Sequence, residues 1–184
     1  MIKLIMRRYF GIAKCFAESL VAHFPPPNQR AAQLIQTYYR GAQGDFRSDV
    51  SKGDKTGPLL INIVKLFHNM DYKSFSAWGR VISGTIKKND QLRIMGENYM
   101  SGDEEDLFVR NADKLFILQG RYKLEVTEVT AGNMVLIGGI DQAITKTATL
   151  THAENLPLGV DIMLPLKFWS QPTIKVAIEP LIPN

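Results

Sequence analysis

The chain is poor in the residues that usually carry chemistry. It has one cysteine, Cys15, which excludes an internal disulfide framework and a multi-cysteine zinc site. No apolar run approaches the roughly 18 residues of a membrane span. The opening stretch, broken by Lys3, Arg7 and Arg8, lacks the apolar core of a secretory signal. There is no Gly-Lys dipeptide to complete a phosphate-binding loop and no Asn-Lys to begin a guanine-reading motif. Nor is there a Gly-x-Ser-x-Gly elbow to present a nucleophile. His23, His68 and His152 lie far apart, none with a second histidine at helical spacing, so no metal constellation is visible. Repeats and low-complexity tracts are also missing. The expectation is a soluble intracellular protein without a membrane partner, with no catalytic, cofactor-binding or metal-binding residue of its own.

What is present is an ordinary globular composition, 184 residues with 45% hydrophobic and 22% charged, about one domain with flanks. The net charge is +4, and its placement is uneven. Residues 1–50 hold seven Lys/Arg against three Asp/Glu, whereas residues 51–184 hold fifteen of each. A basic lead-in therefore precedes a balanced remainder.

The two parts also differ in periodicity. Ile5, Tyr9, Ile12, Phe16 and Leu20 recur at steps of three and four, the stripe of an amphipathic helix over residues 3–24. Pro25-Pro26-Pro27 ends it. A second short helix is predicted over Gln29 to Tyr39, and the polar, glycine-rich stretch 41–57 reads as a loop or linker. From Leu59 the pattern becomes β. Strands are predicted at Leu59 to Phe67, Phe75 to Ile86, Leu92 to Met95, Leu107 to Val109 and Leu115 to Leu118. Further strands follow at Tyr122 to Val129, Met134 to Ile137, Ile144 to Leu150 and Met163 to Phe168, with Asn89-Asp90 as a turn. Short strands at this spacing imply a closed barrel or sandwich. Gly79 and Gly84 bracket Arg80 to Ser83 and mark a bent strand turning a barrel corner. The helix lacks anything upstream for its apolar face, and a lone strand near Ile174 to Ile178 lacks a partner. Both suggest a piece of a longer chain.

Few residues carry chemical signals. Asp54 to Gly57 is an Asp-x-x-Gly, but no apolar strand leads into it, and chance accounts for it. Cys15 borders the helix stripe and reads as a packed thiol. Asp103 to Asp106 is an acidic run, a solvated loop or a site for a basic partner. Three basic-aromatic groups could stack on and pair with RNA: Arg7-Arg8-Tyr9-Phe10, Tyr38-Tyr39-Arg40 and Arg121-Tyr122-Lys123. A simpler reading gives each one buried side and one wet side.

The bent strand also carries a resemblance. Ala77-Trp78-Gly79-Arg80-Val81-Ile82-Ser83-Gly84-Thr85-Ile86 resembles the signature strand of the second domain of translational GTPases. Gly57-Pro58-Leu59, Arg93 to Tyr99, Gly120-Arg121-Tyr122, Ala131-Gly132-Asn133 and Asp141-Gln142 resemble the elongation factor 2 branch. His23-Phe24-Pro25-Pro26-Pro27 is similar to the motif closing the last helical region of its GTP-binding domain. Within the branch, Gly96-Glu97-Asn98-Tyr99, Asp103 to Asp106, Ser83 to Ile86, Lys146 to Thr149 and Pro165 to Phe168 resemble the spliceosomal form. That form is the elongation-factor-2-like GTPase of the U-five small nuclear ribonucleoprotein. Pro26, Trp78 and much of Leu107 to Leu118 depart from the branch's wording.

The resemblance implies a mainly β fold, a domain II barrel. Residues 1–56 would be the helical end of the GTP-binding domain and a linker, 57–170 the barrel, and 171–184 the start of domain III. It implies a GTPase parent in which GTP and Mg belong to the upstream domain. Ile5, Tyr9, Ile12, Phe16 and Leu20 would pack on that domain. It implies the nucleus, with the large spliceosomal scaffold protein and U-five RNA as partners, and a role in spliceosome activation and disassembly. A domain II of the ribosomal translocase and a free-standing β-barrel interaction module remain the alternatives.

Overall fold

A computed structural model describes the chain except residues 12–13, 72, 103–104, 155–159, 167–169, 171–172, 175 and 177–184. Helices come first: α1 (Ile2–Phe10), α2 (Lys14–His23), α3 (Pro27–Tyr38) and α4 (Asp45–Ser51). Strands β1 (Leu60–His68), β2 (Phe75–Ser83), β3 (Thr85–Lys87), β4 (Gln91–Met95) and β5 (Leu107–Asn111) follow. Then come β6 (Lys114–Gln119), β7 (Tyr122–Val126), β8 (Glu128–Thr130), β9 (Met134–Gly138) and β10 (Ala148–His152). The fold is mainly β, as the strand spacing implies. No helix among the described residues is long and apolar enough to cross a membrane.

Eight strands form one antiparallel sheet in the order β5-β4-β10-β1-β2-β9-β6-β7, and β3 pairs with β8 in a two-stranded ribbon. The sheet wraps a single core. Ile61 and Ile63 of β1, Val81 of β2, Ile94 of β4, Leu115 of β6, Ile137 of β9 and Leu150 of β10 are all fully buried in it. The ribbon closes over the same core with Ile86 and Val129. Only β5 and β7 contribute no buried residue to it, and they are the two ends of the ladder.

Both strand glycines have steric reasons. Gly79 opposes Ile63, next to a register shift between Ile63 and Lys65, and a Cβ there would run into the Asn62 carbonyl oxygen. Gly84 turns the chain from β2 into β3 at φ +81°, where a Cβ would stand 2.6 Å from Leu59 Cα. Its amide donates to Asp54 O at 2.8 Å, and its carbonyl accepts from Ala131 N at 2.9 Å. The corner is thereby pinned on both sides.

A second core lies outside the barrel. Ala31, Ile35 and Tyr39 of α3 and its end, with Phe46 and Val50 of α4, pack on Leu60, Ile82, Met95, Tyr99, Val160, Ile162 and Met163. Proline occupies the first position of α3, where its missing amide costs nothing. The stretch 41–57 is therefore more than a loop. Asp45 suits the first turn of α4, and Phe46 and Val50, four apart, share its buried face.

Other expectations need correction. The single helix over residues 3–24 is two helices, because Gly11 takes φ +67° after α1. The strand from Tyr122 to Val129 breaks at Thr127, where the chain leaves the sheet for the ribbon. The strand expected from Ile144 starts at Ala148. In the strand expected from Met163 to Phe168, Met163 makes only an isolated bridge to Tyr39, Leu164 to Leu166 form no strand, and Lys167 and Phe168 lie outside the described residues. The terminal strand falls largely outside the described residues, with Ile174 and Val176 exposed.

Candidate interaction surfaces

The basic arm is an open surface. Neither α1 nor α2 contains a buried residue. Ile5, Tyr9, Phe16 and Leu20 are 58%, 82%, 67% and 37% exposed, while Ile12 lies outside the described residues. Arg7 and Arg8 occupy the last turn of α1, where cations complement the helix dipole. Tyr9 and Phe10 stack edge to face at 5.1 Å. The arm therefore presents both an apolar stripe and unshielded cations. Cys15, expected to pack, is exposed and free.

Tyr38-Tyr39-Arg40 is built differently. Tyr39 is 5% exposed, and its hydroxyl accepts from Asp161 N at 3.0 Å. Burial pushes its pKa above the usual phenol value, the Asp161 charge adds to this, and the Asp161 amide and Arg47 oppose it. Arg40 straddles Asp161, with Nε 3.0 Å from both carboxylate oxygens and Nη2 2.7 Å from Oδ1, and it also donates to the Tyr99 carbonyl. That hydrogen bonding raises the guanidinium pKa further. Arg40 N donates to Ile162 O at 3.0 Å and Leu164 N to Tyr38 O at 2.7 Å. This group, read from sequence as a candidate RNA contact, is a clamp. It ties the segment entering the barrel to the segment leaving it, and Tyr39 has no free ring face to offer a base.

Arg121, Tyr122 and Lys123 sit together at the tip of the β6–β7 hairpin. Gln119 pairs with Tyr122, Gly120 supplies the left-handed turn at φ +60°, and Arg121 lies 5.7 Å from the Tyr122 ring centroid. Tyr122 is 64% exposed. Arg80, between Gly79 and Gly84 in the signature strand, is half-buried on β2, opposite Asn62 and Met134.

The Asp-x-x-Gly at Asp54 is occupied structurally. The Asp54 carbonyl accepts from Gly57 and Gly84, and its carboxylate accepts from Thr56 N at 3.1 Å, which holds its pKa below the usual carboxylate value. These residues do not fit a nucleotide, and no group of three or more metal-ligating side chains occurs among the described residues. In the acidic run, Asp106 folds back onto the preceding loop. Its carbonyl accepts from Gly96 N at 2.9 Å, and its carboxylate accepts from Asn98 N at 3.0 Å. Asp103 and Glu104 lie outside the described residues. Glu97 accepts a 2.6 Å hydrogen bond from Thr147, joining the β4–β5 loop to the approach of β10.

With this geometry in hand, residues 75–151, from the start of β2 to within β10, match the family model described as elongation factor Tu domain 2. Over this stretch the sheet and ribbon are of that domain's type. Over its full length the chain is 37% identical to the 109 kDa U5 small nuclear ribonucleoprotein component of Arabidopsis thaliana. It is 36% identical to the 110 kDa U5 component of the same plant. It is 33% identical to pre-mRNA-splicing factor cwf10 of Schizosaccharomyces pombe. The chain spans 19% of the length of each of these relatives. The resemblance to the spliceosomal branch, drawn from Glu97 and the motifs around it, thus holds along the whole chain.

Two features escaped sequence reading. The Arg40–Asp161 pair joins residues 121 positions apart, which no local pattern signals. The shared outward face of β2, β9 and β6 was not legible, since nothing in one sequence reveals the strand order.

Proposed function

We propose that this chain is the non-catalytic β-barrel portion of a spliceosomal GTPase and couples nucleotide state to U5 particle remodelling during spliceosome activation and disassembly. The observation that carries the reading is similarity across the entire chain to two U5 ribonucleoprotein components and a pre-mRNA-splicing factor. On this reading GTP and Mg sit in a GTP-binding domain of the parent, which works in the nucleus beside the large scaffold protein and U5 RNA. Residues 1–56 close that domain, 57–170 form domain II and 171–184 open domain III. The arm stripe of Ile5, Tyr9, Ile12, Phe16 and Leu20 packs on the GTP-binding domain.

The clamp supports transmission. A barrel with one enclosed core moves as a body, and α3 and α4 share its second core. A displacement applied to the helices would therefore reach the barrel through Arg40 and Asp161. The test is immunoprecipitation from nuclear and cytoplasmic extracts with an antibody to this chain, followed by sequencing of the bound RNA. Enrichment of U5 RNA from the nuclear extract is expected. Enrichment of ribosomal RNA would instead favour the translocase reading.

A further inference from the structure

The outer face of β1-β2-β9-β6-β7 does not look like an ordinary wet sheet face. Cross-strand partners project on the same side, so the register lines up Lys65, Trp78, Leu136, Phe116 and Glu125 in one row. Leu136 is fully exposed to neither solvent nor the barrel core. It is 0% accessible, yet it alternates with the core residues Val135 and Ile137 and lies between Trp78 and Phe116 on the outside. Phe67 meets Trp78 edge to face at 5.9 Å, and Lys65 Nζ lies 5.2 Å from the Phe67 ring centroid. These aromatics are only half-buried, so part of each ring stays accessible.

The charges around this row are mostly uncompensated. Lys65, Arg80 and Lys123 form no ion pair with a described residue. The row's one acid, Glu125, is held by Lys88 at 2.8 Å. Asp71, Asp113 and Asp141 stand at the Ser76–Gly138 end, around a cleft that Lys114 also lines and that Phe116 borders. The face thus runs from an acidic end to a basic, aromatic one that continues into the Arg121–Tyr122 hairpin tip.

We propose that the half of this face spanning Trp78, Arg80, Phe116 and Lys123 is a stacking platform for single-stranded RNA. Open aromatic faces take unpaired bases whatever their sequence, and free cations beside them take the phosphates. The acidic end directs the strand away from the cleft. The proposal deepens the reading above by naming the surface and the nucleic-acid form, and it rests on that reading for the presence of RNA.

The test uses the full chain and a fluorescein-labelled oligouridylate of about 12 nucleotides, a length within the usual site size, with an RNA duplex of equal length as competitor. Binding to the single strand in preference to the duplex is expected. Lys65→Glu with Lys123→Glu should weaken it about tenfold or more and lower the salt slope by about 1.4 or more. Arg7→Glu with Arg8→Glu should weaken it by clearly less than that. Trp78→Leu should weaken binding with less salt dependence, and thermal melts of each variant separate lost contact from lost folding. Three results would each overturn the proposal. They are no binding at about 50 mM salt, loss of binding only in the arm variant, and unchanged oligouridylate affinity in a Lys65/Lys123 variant that sheds a protein from extract. Any of these leaves the U5 reading intact, since U5 RNA can co-precipitate through a protein neighbour. Absence of U5 RNA from the immunoprecipitate is what defeats that reading.

Discussion

Helices α1 and α3 are both amphipathic and about three turns long, yet they have opposite fates. Helix α3 buries Ala31 and Ile35 against the outside of the barrel, whereas α1 buries nothing and leaves Ile2, Leu4 and Ile5 more than half exposed. The difference is what each finds to pack on. Helical pattern alone is marginal in water, and tertiary contact supplies most of a helix's stability. An apolar stripe is therefore a demand for a partner, met within the chain by α3 and left open by α1 and α2.

The sharpest way to test this contrast is to substitute one fully buried and one exposed apolar residue. Ile94→Ala, at a fully buried site in the barrel core, should cost about 3 kcal/mol in urea unfolding of the isolated chain. Phe16→Asp on α2 should change that midpoint by less than about 0.5 kcal/mol while improving solubility and reducing self-association in sedimentation. Equal losses from both would mean that the arm is folded against the barrel in solution.

Gly79→Val should rank next, because its side chain must displace the Asn62 backbone. A loss of about 2 kcal/mol or more is expected. Gly120→Val at the hairpin tip, where nothing lies within 4 Å of an added Cβ, should cost about 1 kcal/mol through its left-handed φ alone.

Arg40→Ala tests whether α3 and α4 move with the barrel. The pair with Asp161 is partly exposed, its side chains 34% and 15% accessible, so screening limits its worth to about 1 kcal/mol. Hydrogen exchange should rise in residues 31–39 more than in β9. If α4 and β1 exchange as before and only the arm changes, the clamp is not what couples them.

The smallest effect is alkaline. Tyr39 has a raised pKa in the fold, so the stability it contributes is intact below the unfolded phenol value of about 10. That stability is lost as pH climbs through the higher folded value. Tyr39→Phe should cost about 1 kcal/mol at neutral pH through the lost Asp161 hydrogen bond. It should also show a shallower decline above pH 10 than the parent chain, measured by urea midpoint against pH.

Much of the β region could be read in advance because its rules are local. Apolar runs located β1 and β9, glycine chemistry located the corner at Gly84, and Asn89-Asp90 marked its turn, where Asp90 Oδ2 accepts from Lys87 N at 2.7 Å. The partial failures had local causes too. One glycine, Gly11, outweighed a continuous stripe. Residues 41–57 looked like a linker because Phe46 and Val50 are too few to show a period in a polar stretch.

Sequence alone determined the strand content, the barrel corner, the basic bias of the lead-in and the kinship with the spliceosomal branch. All of these depend on residue types at short spacing. Only the tertiary structure decided that Tyr39 and Arg40 belong to a clamp. It alone joined Trp78, Phe116 and Lys123, from three separate strands, into one outer face. Chain folding brings residue 40 to residue 161 by hydrophobic closure of a core whose members are scattered along the sequence, and that closure has no local signature to read.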